Sequence, residues 1–262
     1  MRKLSVQERL RRIRERLSSG GVSVPVLARE LGISEITIRR DLAALQRQGK
    51  LLRVYGGAIP SERVAYEFSF KEKESRQRRE KEAIGRAAAE LAEPGTAVFL
   101  DTGTTAVAIA RALRAIGPGI ILTTNLGVAS EFVGQGDVRV IMPGGELGRR
   151  SPDLLGEMTL EALSGMNVDV AFLGCDAVDP AEGFFTTDSR SAAVSRLMLS
   201  RSARCYLVAD SGKFGQRAMF RIAQIERLTG IVTDSGLAAP YRKTLAQTGV
   251  DLIVAELKGD NA

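Results

Sequence analysis

Between residues 96 and 254, short apolar runs alternate with segments whose apolar residues recur at helical spacing, and this alternation limits the possible folds more than any other feature. The runs fall at 96–100, 120–123, 138–142, 168–173, 204–209, 230–233 and 251–254. Helical segments fit between most of them, at about 105–115, 126–133, 157–164, 189–201 and 238–248. A further helix carrying Ile84, Ala87, Ala88 and Leu91 precedes them and ends at Glu93-Pro94-Gly95. Strands that read as continuous apolar runs need cover on both faces, which a parallel sheet with helices on each side provides. The fold class expected is α/β, with an open, mainly parallel sheet over residues 81–262. Ligands are expected at the carboxyl edge of such a sheet.

Charge marks off a different region. The 262 residues carry a net charge of +6, but residues 1–60 hold 13 Lys/Arg against 5 Asp/Glu, a net of +8. The remainder holds 24 against 26, a net of −2. A basic head on a near-neutral body suggests that the head meets a polyanion. Residues 61–80 mix both signs, with few large apolar side chains, and read as an exposed, partly helical connector.

Within the head, Ser5 and Glu8 have capping-box spacing, and Val6, Leu10, Ile13 and Leu17 follow at helical intervals. Gly20-Gly21 ends that helix, Pro25 lies near the start of a second (26–31), and Gly32-Ile33 makes a tight turn. Ser34 is a good N-cap for a third helix, from about Glu35 to Gln48. Two short helices around a glycine-containing turn form a helix-turn-helix pattern. In the third helix Ile38, Leu42 and Leu45 share the inward face, whereas Ile36, Arg40 and Arg47 point away, flanked by Thr37 and Arg39. An isoleucine beside arginines suits a thymine methyl in a DNA major groove, with arginine reading guanine or gripping phosphate. The following KLLRVYGGAI reads as a hairpin wing, with Arg53 and Tyr55 as phosphate contacts. The DNA-facing set is therefore Ser34, Glu35, Ile36, Thr37, Arg39, Arg40, Arg47, Arg53 and Tyr55.

Composition excludes several chemistries. The chain has no histidine, which removes Ser-His-Asp and Cys-His nucleophile pairs and histidine-ligated zinc. Cys175 and Cys205 are too few for a disulfide framework or a cysteine zinc site and read as small buried hydrophobes. No run approaches the ~18 apolar residues of a membrane helix, and the basic N-terminus leads into no secretory signal, so a cytoplasmic location is expected. Gly212-Lys213 is not a P-loop, because Leu207 and Phe214 occupy the positions of its glycine and hydroxyl residue.

Polar clusters fall at the predicted strand ends. Asp101-Thr102-Gly103-Thr104-Thr105 sits between a strand and a helix start, where glycine permits a tight turn and free N–H groups make an anion cradle. Thr123-Thr124-Asn125, Pro143-Gly144-Gly145, Gly174-Cys175-Asp176 and Asp210-Ser211-Gly212-Lys213-Phe214 end later strands. That composition suits a small phosphorylated polyol, with Asp101 accepting hydrogen bonds from its hydroxyls.

The stretch VSVPVLARELGISEITIRRDLAALQRQGKLLRVYGGAI closely resembles the N-terminal domain of the DeoR family of bacterial transcriptional regulators. Its signature is Thr37 to Leu42 together with Gly56-Gly57-Ala58. LDTGTT, TTN, PGG, GCD and ADSGKFG are similar to motifs of the family's effector domain, a fold related to ribose-5-phosphate isomerase. The resemblance spans nearly the whole chain. It implies a non-enzymatic repressor of sugar-catabolism genes, with no cofactor or metal, whose grip on double-stranded operator DNA is relieved by a phosphorylated sugar. By position it implies a pocket of Asp101, Gly103, Thr104, Thr105, Asn125, Gly145, Asp176 and Lys213. Many members have a glutamate and a lysine near positions 191 and 195, where this chain has Ser191 and Ser195, and Ala177 stands where glycine is common.

The expected organisation is a winged helix-turn-helix domain at 1–60, a linker at 61–80 and an effector-binding, oligomerising α/β domain at 81–262. Two half-sites call for two heads, hence a dimer or larger homo-oligomer. The alternatives are a DNA-binding protein whose body only oligomerises, and an isomerase-like enzyme using Asp101, Asp176 and Lys213.

Overall fold

A computed structural model describes residues 5–18, 22–47, 51–54, 57–60, 70–148 and 151–257. The chain divides into two compact units, Met1–Tyr66 and Glu67–Ala262.

The first unit runs α1 (Val6–Ser18), β1 (Val22–Ser23), α2 (Val24–Leu31), α3 (Glu35–Arg47), β2 (Leu51–Val54) and β3 (Gly57–Pro60). Local chemistry sets its boundaries. The Glu8 N–H donates to Ser5 Oγ at 3.2 Å, Pro25 occupies the first turn of α2, and Gly32 closes α2 at φ 65°. Ser34 Oγ accepts from the Thr37 N–H at 3.3 Å and opens α3. Ile13 and Leu17 of α1, Leu27 of α2, and Ile38, Leu42 and Leu45 of α3 pack with Leu51 into one core. The wing hairpin is present, with β3 paired antiparallel to β2 on one side and to β1 on the other.

The second unit opens with α4 (Phe70–Ser75) and α5 (Arg78–Ala89). There follow β4 (Ala97–Leu100), α6 (Thr104–Leu113), β5 (Ile120–Thr123), α7 (Leu126–Ser130), β6 (Arg139–Ile141), the hairpin β7 (Glu146–Leu147) and β8 (Leu154–Leu155), and α8 (Glu157–Ser164). Next come β9 (Val168–Leu173), β10 (Ala177–Asp179), β11 (Gly183–Thr186), α9 (Ser189–Arg201) and β12 (Ser202–Val208). The unit closes with β13 (Phe220–Ala223), β14 (Gly230–Asp234), α10 (Ala239–Ala246) and β15 (Asp251–Ala255).

Seven strands form a parallel sheet in the order β15-β14-β12-β9-β4-β5-β6. All the apolar runs read from the sequence are strands of this sheet. Alternate residues of each strand face opposite layers. Val98, Leu100, Val170, Phe172, Tyr206 and Val208 pack with α5 and α6, whereas Phe99, Ala171, Leu173, Cys205 and Leu207 pack with α8, α9 and α10. Both cysteines are buried and free.

The order reverses between β4 and β9: from β4 the chain winds outward through β5 and β6, then returns to β9 and winds the other way. Loops leaving the carboxyl ends of β4 and β9 therefore diverge and leave a crevice between them.

Two features depart from the sequence reading. A second sheet, β10-β11-β13, and the hairpin β7-β8 were not anticipated. Strands of two to four residues are too short to establish a period, and their partners lie far away in sequence. Residues 70–80, read as an exposed, partly helical connector, are helical but belong to the second unit as α4 and the start of α5, where Lys81 is buried. The rest of that connector, 61–69, lies outside the described residues.

Candidate functional site

In the first unit, the two faces of α3 separate as the spacing requires. Ile38, Leu42 and Leu45 are fully buried, while Ile36 is 69% exposed. Arg39 and Arg40 are exposed beside it. Arg39 pairs with Glu35 one turn back at 3.3 Å, and Thr37 Oγ1 lies 2.9 Å from Ser34 Oγ, so Ser34, Glu35, Thr37 and Arg39 all have partners within α3 and its cap. Arg40 has no ion-pair partner among the described residues. Arg47 ends α3 and Arg53 lies in β2, but their side chains, and all of Tyr55, fall outside the described residues.

The arginines of α1 behave differently. Arg9 clasps the buried Asp41 of α3 with two bonds, at 2.7 and 3.0 Å. Arg11 pairs with Glu8 and Glu15, Arg12 with Glu8, and Arg16 with Glu30. Much of the basic charge counted in this helix is thus balanced within the unit, and the outer face of α3 is left as its presented surface.

The second unit has a cleft at the sheet's switch point, lined by residues that follow β4 and β9, the end of β11, the start of α9, Lys213 and part of α4. Asp101 leaves β4 and is buried. Its Oδ2 accepts from the Gly174 N–H at 3.1 Å and lies 3.1 Å from the Ser195 hydroxyl, which is also 3.0 Å from the Ser191 carbonyl. Its Oδ1 is buried with no hydrogen-bond partner. Burial pushes this carboxyl up to about 7, although the Thr102 and Gly174 N–H groups and the Ser195 hydroxyl pull it down. Gly103, at φ 97°, then turns the chain into α6, whose amino end has no side-chain cap. Thr104 and Thr105 line the cleft on that first turn.

Neighbouring helix starts are already satisfied. Asn125 Oδ1 accepts from the Val128 N–H and caps α7, and Asp188 accepts from the N–H groups of Arg190 and Ser191 and caps α9. Of these three amino ends, α6 alone lacks an acceptor side chain.

Cations stand opposite. Lys213 Nζ donates to the Cys175 carbonyl at 2.6 Å. Desolvation acts to lower its pKa, but the surrounding acidic groups, the carboxylates of Asp210 and Asp176 among them, outweigh that and leave it above the usual lysine value. Lys73 Nζ bonds Asp176 Oδ1 at 2.7 Å. Asp176 Oδ2 accepts from the Thr186 hydroxyl at 3.0 Å and from the Thr187 N–H and hydroxyl at 2.9 and 3.0 Å. Burial acts to raise the Asp176 pKa, yet Lys73, Lys213 and the Thr187 N–H hold it well below the ordinary carboxylate range. Burial pushes the Cys175 thiol up to about 12, so it stays protonated and unreactive.

The structure brings together Asp101, Gly103, Thr104, Thr105, Asp176 and Lys213 from the expected pocket. Asn125 and Gly145 do not line it. Asn125 is wholly buried, caps α7 and donates from Nδ2 to Asp153, and Asp153 is the residue that reaches the cleft. Gly145, at φ 126°, is a packing glycine: a Cβ there would lie 2.0 Å from Thr159 Oγ1. Lining residues missed from the sequence include Phe70, Lys73, Asp153, Thr186 and Thr187, and Ser191 and Ser195, the two positions where the chain departs from the family pattern, also line the cleft. Thr186-Thr187-Asp188 carries the same polar signal before a helix as Asp101 to Thr105. Lys73, inside a mixed charge run, carries none.

The chain matches the DeoR-like helix-turn-helix domain over residues 9–64 and the DeoR C terminal sensor domain over residues 76–235. The HTH-type transcriptional regulator GlpR of Haloferax volcanii is 37% identical, over 94% of this chain and 96% of that protein. The glycerol-3-phosphate regulon repressor of Escherichia coli K12 is 35% identical over 82% and 85% of the two chains. The lactose phosphotransferase system repressor of Streptococcus mutans is 33% identical over 87% and 92%. Ribose 5 phosphate isomerase A from Neisseria gonorrhoeae overlaps 51% of this chain and 52% of its own, with a TM-score of 0.38 and 17% identity. The regulator and the two repressors are transcriptional regulators rather than enzymes, and each family model falls within one unit, so the chain belongs to the DeoR family of transcriptional regulators.

Proposed function

We propose that this regulator binds operator DNA through the outer face of α3 and the wing, and that a phosphorylated sugar or polyol in the cleft of the second unit relieves that binding. In this reading Ile36 and Arg40 meet base edges. Ser34, Glu35, Thr37 and Arg39 border them, and Arg47, Arg53 and Tyr55 hold phosphates. The phosphate of the effector faces the uncapped amino end of α6 at Gly103, Thr104 and Thr105, with Lys213 beside it. A hydroxyl group of the effector donates to Asp101.

The observation that carries the reading is Asp101 Oδ1, a buried carboxyl oxygen without a partner on a residue that lines the cleft, beside a helix amino end that has no side-chain cap. A buried acceptor costs ~1–3 kcal/mol when unsatisfied, and a ligand hydroxyl would remove that cost. The same group does not favour isomerase chemistry, since the relatives and both domain matches are regulatory.

The proposed organisation is a DNA-binding unit, a connector and an effector-binding, oligomerising unit. The assembly would be a dimer or larger, so that two heads reach two half-sites. No helix among the described residues is long and apolar enough to cross a membrane, and a cytoplasmic location fits a DNA-binding protein. Gel-shift titration of a bound operator with a panel of sugar and polyol phosphates tests the reading. Release by one of them at a coupling of ~1–3 kcal/mol is expected, and no change with any of them excludes the effector role.

A further inference from the structure

We propose that Lys73 is an anion-binding residue of the cleft, and that an anionic ligand group takes its ammonium from Asp176 and so loosens α4. The proposal rests on the effector reading above and adds to it a residue and a route by which occupancy is felt.

Asp176 is built to survive the exchange. Three of its four hydrogen bonds, all to Oδ2, come from Thr186 and Thr187 at the end of β11, and only the bond to Oδ1 comes from α4. If Lys73 departs, the carboxylate keeps those donors and the nearby charge of Lys213. Lys73 is also free to trade partners. Its side chain is 31% exposed against 11% for Asp176, so it stands at the cleft's edge, where an incoming anion reaches it without first being stripped of all its water.

The element that carries Lys73 is weakly held. Among the described residues α4 is a six-residue helix with a cavity on each flank, and Phe70 lines both. The second cavity is walled by Glu74, Lys81, Thr104 and Arg111. At six residues α4 is too short to be stable without its tertiary ties. Its carboxyl end is tied down, because Lys81 Nζ donates to the carbonyls of Lys73 and Arg76. Phe70 packs against the core beneath α5 and α6, and the Lys73–Asp176 pair ties α4 across the cleft. In sequence, α4 is the first described element after β3, and residues 61–69 alone lie between them.

The test uses the full chain with inorganic phosphate and glycerol 3-phosphate as probes, read by calorimetry and by amide hydrogen exchange at residues 70–76. In the unsubstituted protein either probe should speed exchange at 70–76. Lys73→Gln should weaken both probes roughly tenfold or more, the value of one charge-assisted hydrogen bond, and should exchange quickly at 70–76 without ligand. Asp176→Asn should also exchange quickly there but bind phosphate more tightly, because the competitor for Lys73 has been neutralised. Unchanged phosphate affinity in Lys73→Gln, or exchange at 70–76 that is indifferent to ligand, overturns the proposal while leaving the effector reading intact. If no sugar phosphate binds the unsubstituted protein, both fall together.

Discussion

In the winged unit, four of the five arginines of α1 hold carboxylates, whereas Arg40, on the exposed face of α3, has no ion-pair partner among the described residues. In the α/β unit the arrangement is inverted. Its functional groups are drawn inward, and one of them, an oxygen of Asp101, is buried without a hydrogen-bond partner. A surface meant for a polyanion tolerates unpaired charge, because solvent screens it until the partner arrives. A cleft meant for a small molecule must keep an unsatisfied group at a cost, and that cost becomes selectivity when the ligand removes it. The two units therefore predict different responses to substitution: the base-reading side chains of the DNA face should affect binding without stability, and the cleft should affect both.

The largest expected effect is at Asp101. Its carboxyl is raised from 3.8 to about 7 in the folded chain, so the folded state holds a proton that the unfolded chain has released between those values. The stabilisation is full below about pH 4 and is lost as pH rises through 7, by about 4 kcal/mol at ~1.4 kcal/mol per unit. Urea denaturation between pH 4 and 8 should show this slope for the α/β unit, and Asp101→Asn should flatten it. A slope that survives the substitution removes Asp101 as its source.

Next in size is the Arg9–Asp41 clasp, where Asp41→Ala takes two charge-assisted hydrogen bonds from the Arg9 guanidinium. The winged unit should lose roughly 2–3 kcal/mol, below the cost at a fully dry site because Arg9 keeps some solvent contact. Calorimetry should show the α/β transition unmoved, and an equal shift in both units would mean that they do not fold independently.

Arg40→Ala should cost ~1–3 kcal/mol of operator affinity and relax preference at one base position, with melting unchanged. Equal losses on operator and random DNA would assign Arg40 to phosphate instead. The smallest effect belongs to the cap: Ser34→Ala should cost ~1 kcal/mol in the stability of the winged unit. A larger loss in DNA binding than in stability would give Ser34 a direct contact as well.

The parallel sheet was readable because each of its strands is an uninterrupted apolar run buried on both faces, a pattern that needs no knowledge of the partner strand. The winged unit was readable because its caps and turn residues are local: Ser5, Pro25, Gly32 and Ser34 act within a few residues of themselves. The cleft was only partly readable. Asp101 to Thr105 advertised itself through a polar cluster at a strand end, but the same signal at Asn125 belongs to a residue that caps a helix and never meets the cleft. A polar strand end looks alike in one dimension whether its donors are spent on the fold or left for a ligand.

What residue order alone determined was therefore periodic or short-range: which segments are strands, which face of α3 is apolar, where helices begin. Tertiary structure decided how distant polar groups divide their hydrogen bonds. It put Lys73 against Asp176 across 103 residues, turned Ser195 towards Asp101 across 94, and left one carboxylate oxygen without a donor. Those outcomes depend on which loops the reversal in strand order brings to one crevice, and on how many donors reach each acceptor there. Neither quantity has a period or a spacing for a linear pattern to carry.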